Sequence, residues 1–259
     1  IISIRRDIHQ YPELAFNEHR TAKLVAERLE SLGMDVQTGV GKTGVVGTLK
    51  GKGKGKTIAL RADMDALPMQ ETGDLPYKSQ NDGVMHACGH DGHTAMLLGA
   101  AEALSQKTDE LNGTVKFIFQ PAEEGAPPGE EGGAELMVKE GVLKNPDVDA
   151  IFGLHAWPGK VGTVEYRSGP TMAAAERMRI TVTGSQTHGA VPWKGVDPIA
   201  ISSQIITALQ TIVAREVNIT QVPAVVTIGS IHGGVRNNII PEEVVMEGTI
   251  RTFNDEVRK

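Results

Sequence analysis

Residues 114–124 read Thr114-Val115-Lys116-Phe117-Ile118-Phe119-Gln120-Pro121-Ala122-Glu123-Glu124. A short, nearly continuous apolar run that ends in a turn and two acids is the pattern of a buried strand with carboxylates at its carboxyl end. The pattern recurs on both sides. Residues 57–61 (Thr57-Ile58-Ala59-Leu60-Arg61) are followed by Asp63 and Asp65, and residues 151–154 by His155. Between these runs lie an Ala- and Leu-rich helix running to about Gln106 and a short helix ending near Glu140. Apolar strands that alternate with helices predict an α/β fold whose catalytic domain has a mixed, largely parallel sheet flanked by helices. Upstream, Pro12 breaks a first helix. Asn17 is a candidate N-cap for a second, which ends at Gly33 and carries Leu24, Val25, Leu29 and Leu32 on one face. Residues 44–49 form a further strand, and the Gly-Lys repeat at 51–56 reads as a hairpin-type connection. Residues 64–90 have no period, and a loop of that length is usually functional or disordered.

After Gly169-Pro170 the pattern changes. Residues 177–183 alternate as a strand, Asp197-Pro198 opens a helix as N-cap and N1 to about Arg215, and strands follow at 224–231 and 243–253. Strand–helix–strand–strand, with Asn254-Asp255-Glu256 as the cap of another helix, is the start of a ferredoxin-like α+β unit. The reading is therefore a catalytic portion at 1–172 and a smaller lid or dimerisation domain at 173–259. Ile1 has no cap before it and the second domain lacks a strand, so the expectation is a chain cut from a longer one.

Composition narrows the classes. The 259 residues carry 26 basic and 32 acidic side chains, a net charge of −6 with both signs interspersed. No basic face marks a general nucleic-acid binder. No apolar run approaches the ~18 residues of a membrane helix, and the N-terminus lacks the order of a signal peptide. One cysteine forbids an intrachain disulfide and points to a reducing compartment, the cytoplasm. Aromatics at 4% leave a core of Val, Ile, Leu, Ala and Met.

The chemistry concentrates at Met85-His86-Ala87-Cys88-Gly89-His90-Asp91-Gly92-His93, where three of the eight histidines flank the single cysteine. Thiolate and imidazole together suit zinc, cobalt, nickel or manganese-class ions. Cys88 and His90 lie in the turn, while His93 reads as a cap or packing residue at the helix start. In open α/β sheets ligands bind outside the carboxyl ends of the strands, so Asp63, Asp65, Glu123, Glu124 and His155 should converge beside Cys88 and His90. Neighbouring Glu123 and Glu124 do not easily point the same way, so one can bind metal while the other serves as general base. Other signatures fail. Gly41-Lys42-Thr43 lacks the P-loop glycine at position 36, which is Val36, and no Gly-x-Ser-x-Gly or His-Glu-x-x-His occurs. His9 and His19 read as helix-surface residues.

The set Arg61-Ala62-Asp63-Met64-Asp65-Ala66-Leu67-Pro68, residues 85–93, Gln120-Pro121-Ala122-Glu123-Glu124 and Gly153-Leu154-His155-Ala156-Trp157-Pro158 resembles the di-metal amidohydrolase family. That family groups aminoacylases, hippurate hydrolases, auxin-conjugate hydrolases and related carboxypeptidases. The likeness runs from about Ile4 to the last residue. It implies two divalent ions, with Cys88, His90, Glu124 and His155 as ligands and Glu123 as base. It implies that His188, in Ser185-Gln186-Thr187-His188-Gly189-Ala190-Val191-Pro192, reaches a neighbouring subunit's active site, and that Asn238 and Arg251 contact substrate. On residues alone His188 is a loop residue, Asn238 a turn former and Arg251 a strand-surface charge. The family's further metal-binding histidine follows the lid and has no counterpart here, which agrees with the expectation of a cut chain.

The function so implied is metal-dependent hydrolysis of an amide bond next to a free carboxylate, as in an N-acyl amino acid or peptide. A homodimer through the lid is the expected assembly. The alternative is a non-catalytic dimerising or metal-binding protein on the same scaffold, for which a retained base at Glu123 would have no use.

Overall fold

Val115, Phe117 and Phe119 point to one side of their strand and Ile118 to the other, and all four are buried. A strand apolar on both faces must lie inside a sheet with both faces covered. The computed structural model describes all residues 1–259 and places this strand accordingly. The chain divides into two units, Ile1–Gly159 and Lys160–Lys259. The boundary expected from sequence, 172/173, lies at the far end of a stretch without regular elements.

The first unit comprises α1 (Ile2–Gln10), α2 (His19–Ser31), β1 (Asp35–Val40), β2 (Gly44–Lys50), β3 (Gly53–Asp63), α3 (His90–Ser105), β4 (Asn112–Gln120), α4 (Gly133–Lys139) and β5 (Ala150–Gly153). The sheet order is β1-β2-β4-β3-β5. β3 runs parallel to β4 and β5, whereas β2 runs antiparallel to β1 and β4. The sheet is therefore evenly mixed, less parallel than the sequence suggests. One face packs Val115, Phe117 and Phe119 against Val25 and Leu29 of α2 and Leu97, Leu98 and Ala101 of α3. The other packs Val46, Ala59 and Ile118 against Met137 of α4 and Val142. Two of the five phenylalanines thus sit at the centre of an otherwise aliphatic core. Burying each contributes about 1.5–3 kcal/mol.

Three local expectations need correction. The Gly-Lys stretch is not a hairpin, because β4 lies between β2 and β3. Its glycines let the crossing chain press on the start of β4, where Gly51 N–H donates to Gly113 O at 2.9 Å and a Cβ at Gly55 would stand 2.7 Å from the Asn112 backbone. Helix α2 starts at His19 with Glu18, not Asn17, at the N-cap position. β5, read as buried, is an edge strand paired only with β3, with Ile151 50% and Phe152 58% exposed.

The second unit comprises β6 (Ala174–Thr183), β7 (Thr187–His188), α5 (Pro198–Thr211), β8 (Ala224–Gly233), β9 (Ile239–Ile240), β10 (Glu243–Thr252) and α6 (Asp255–Arg258). β6, β10 and β8 form an antiparallel sheet in that order, the first, third and second strands of a split βαβ arrangement. Asp197 caps α5 by accepting from Ile199 N and Ala200 N. Ile205 and Ile206 pack on Val182, Val244 and Met246, while Ile201 and Ile212 remain partly exposed. No helix is long and apolar enough to cross a membrane.

Candidate metal centre

β4, β3 and β5 are mutually parallel, so their carboxyl ends open on one side of the sheet. This is where Glu123 and Glu124, Asp63 and Asp65, and His155 emerge. Gly89, at φ 91, turns the chain into α3 and sets His90 at the helix start, facing the same place. That conformation has little cost only for glycine.

His90 is the hub. It is fully buried, and neither ring nitrogen has a hydrogen-bond partner. Its Nε2 lies 3.6 Å from Asp63, 3.8 Å from Glu123 and 3.7 Å from Glu124, and its Nδ1 lies 3.4 Å from Asp65. Donor atoms of Cys88, His90 and His155 gather within 4.8 Å of one another, and so do those of His90, Glu123 and Glu124. Glu123 and Glu124 therefore both turn toward His90, contrary to the sequence argument. The backbone permits this because Ala122 adopts φ 46 and Gly125 φ 125, which breaks the strand's alternation. A buried imidazole and a buried Glu124 oxygen without partners are costly unless a further group satisfies them. A thiol, two imidazoles and two carboxylates are the donors of a divalent-metal site. The residues fit the group.

The electrostatics agree. Burial alone would lower the His90 pKa, but Asp65, Asp63 and Glu123 carry it above the ordinary value. The pocket favours a cation, and a metal ion competes with that proton. Burial, and then Glu124 and Glu123, push the Cys88 thiol up to about 12, so only a cation makes it a thiolate at neutral pH. His155 Nδ1–H donates to the Ala156 carbonyl at 2.7 Å, which leaves Nε2 as an acceptor facing Cys88 Sγ at 3.4 Å. Burial, then Asp63, raise the Glu123 carboxyl, which makes it a stronger proton acceptor.

Behind the donors stands a supporting set. His93, read as a cap or packing residue, joins two strand ends: its Nδ1–H donates to Asp63 at 2.6 Å, and its Nε2 accepts from Ala156 N–H at 2.7 Å. Arg61 donates to the other Asp63 oxygen at 2.6 Å. Burial alone would raise the Asp63 pKa, but His93 and Arg61 hold it well below the usual carboxylate range. Asp65 accepts from Glu124 N–H at 2.9 Å. His9, expected on the helix surface, is buried between Asp91 and Glu71, at 2.8 and 3.3 Å. Asp91 above all raises its pKa. These partners lie 82 and 62 residues away, beyond any local sequence signal. His86 is buried without a partner, and burial lowers its pKa to about 4.

The second unit carries the remaining candidates. His188 on β7 pairs with Ile239 on β9, and Gly189 N–H donates to Asn238 O at 2.8 Å, so His188 and Asn238 are neighbours. His188 Nδ1 accepts from Ala190 N–H at 3.0 Å, which leaves Nε2–H as its outward donor. Asn238 Oδ1 is buried and unpartnered. Arg251 lies apart on β10 of the main sheet, bonded to Thr249 Oγ1 and the Ile250 carbonyl.

Residues 59–247 match the sequence profile of peptidase family M20/M25/M40. Thermostable carboxypeptidase 1 of Saccharolobus solfataricus is 48% identical over all of this chain, which covers 65% of that protein. N-acetyl-L-cysteine deacetylase of Bacillus subtilis is 47% identical over the whole chain, which covers 60% of it. The crystal structure of a dinuclear metal binding peptidase from the M20 family of Bacillus subtilis superposes with a TM-score of 0.81 at 44% identity, over 99% of this chain and 65% of that one. The chain thus spans less than two thirds of each of these proteins.

Proposed function

The chain belongs to peptidase family M20/M25/M40, and on that premise we propose that the intact protein is a metal-dependent hydrolase of an amide bond next to a free carboxylate. N-acyl amino acids and short peptides are the substrate class, in keeping with relatives named as a deacetylase and a carboxypeptidase. The observation that carries the reading is His90, buried among four carboxylates with both nitrogens unpartnered.

Cys88, His90, Glu124 and His155 would hold two divalent ions of the zinc, manganese, cobalt or nickel class. Such ions supply Lewis acidity, which polarises a carbonyl and brings the pKa of water from near 16 toward roughly 7. Glu123, half-exposed at the mouth of the cluster, takes a proton from the attacking water onto its carboxylate. It then returns that proton to the amine nitrogen as the C–N bond breaks. His93 and Asp63 keep His155 in place during the exchange. His188 of a partner subunit offers Nε2–H to the developing oxyanion, worth roughly 3–4 kcal/mol for a well-placed donor, and Asn238 and Arg251 hold the substrate carboxylate. The assembly is a homodimer through the second unit. A ligand thiol keeps the protein to a reducing compartment, the cytoplasm.

Glu123→Gln tests this. In the intact protein, turnover of a panel of N-acetyl, benzoyl and dipeptide substrates should fall by about 10²–10⁴-fold with metal content unchanged, whereas Glu124→Gln should lose metal. Near-normal turnover in Glu123→Gln would remove Glu123 as the base. Full metal content with no turnover by the unaltered protein would favour a non-catalytic metal-binding role.

A further inference from the structure

Glu18 is a fully buried carboxylate with no ion-pair partner. Its Oε1 accepts from Ala122 N–H at 2.9 Å, and its Oε2 from Thr43 Oγ1–H at 2.5 Å. Thr43 and Ala122 are buried as well. Burying a carboxyl group between neutral donors is unfavourable for folding compared with an apolar side chain, so the fold alone does not account for it. The two ends of the Glu18–Ala122 bond share a second peculiarity. Ala122 has φ 46, and Phe16, two residues before Glu18, has φ 60. Non-glycine residues in the left-handed region persist only where their surroundings over-determine them, and they cluster at active sites.

What this bond controls follows from its position. Ala122 directly precedes Glu123, and Glu124 N–H directly follows it and is held by Asp65 at 2.9 Å. Two buried carboxylates, one from each side, therefore pin the backbone around Glu123. We propose that Glu18 is a positioning residue for Glu123, fixing through the Ala122 amide the turn that aims the Glu123 carboxylate at the His90 cluster. This rests on the reading of Glu123 as the base.

Glu18→Leu removes the acceptor and leaves Ala122 N–H unpaired. A shift of about 1 Å at a reacting group costs on the order of a hundredfold, so kcat of the intact, metal-loaded protein should fall roughly ten- to a hundredfold, with KM and metal content little changed. Glu18→Gln can accept from Ala122 and donate to Thr43, so it should recover most of that loss. In the Glu123→Gln background, Glu18→Leu should cost nothing further, because the group it aims is gone. In the metal-free protein, amide hydrogen exchange at Ala122 should quicken about tenfold or more in Glu18→Leu, while the β4 amides stay protected. If Glu18→Leu does not fold, Glu18→Met, which likewise removes the acceptor from Ala122 N–H, carries the same comparison. Equal loss of kcat in both backgrounds, or unchanged exchange at Ala122, would overturn the proposal. Retained turnover in Glu123→Gln alone would instead overturn the reading of Glu123.

Discussion

Asp63→Asn probes the support behind the donors. Asp63 is fully buried at the end of β3 and accepts from His93 and Arg61, each at 2.6 Å. Asparagine keeps one acceptor for His93 but turns an NH₂ toward the Arg61 guanidinium, donor against donor. Breaking a buried charge pair by altering one partner costs about 3–5 kcal/mol. Arg61 is 24% exposed and finds some water, so about 3–4 kcal/mol is expected. At roughly 2–4 °C per kcal/mol for a unit of this size, the melting transition should fall by about 6–16 °C. Calorimetry on metal-free protein at pH 7 reads this without interference from ligand binding. The sign with pH follows from the depressed pKa. The stabilisation is complete above the unfolded value of about 3.9 and is lost as pH falls through the lower folded value. The gap between the two proteins should therefore narrow below about pH 4. A shift under about 2 °C at pH 7, or a gap that stays constant into strong acid, would refute the assignment of this stability to the Asp63 charge.

Two further outcomes follow from the same geometry. The Cys88 thiol, pushed up to about 12, must ionise to bind a metal ion, so zinc added to metal-free protein at pH 8 should release about one proton more than it does from Cys88→Ser; equal release would count against Cys88 as a ligand. If His188 serves a neighbouring subunit, mixing inactive His188→Ala and Glu123→Gln proteins should restore part of the activity through one intact composite site, and no recovery despite demonstrated subunit exchange would confine His188 to its own chain.

Local patterning carried much of this protein in the sequence. Apolar runs ending in acids or histidine at 57–65, 114–124 and 151–155 announced strands with chemistry at their carboxyl ends, because an apolar run and the turn that ends it are written into consecutive residues. Asp197-Pro198 announced its helix for the same reason: a cap acts within three residues. What needed the tertiary structure depends on partners distant in the chain. β3 and β2 are neighbours in sequence, yet β4 separates them, because apolar alternation specifies a face and not a neighbour. The Glu123 and Glu124 side chains both reach His90 because Ala122 takes a left-handed conformation, which residue type argues against. The burial of His9 and Glu18 is invisible locally, since Asp91 and Ala122 lie 82 and 104 residues away, and a polar side chain on a helix can be buried only where folding brings it a partner.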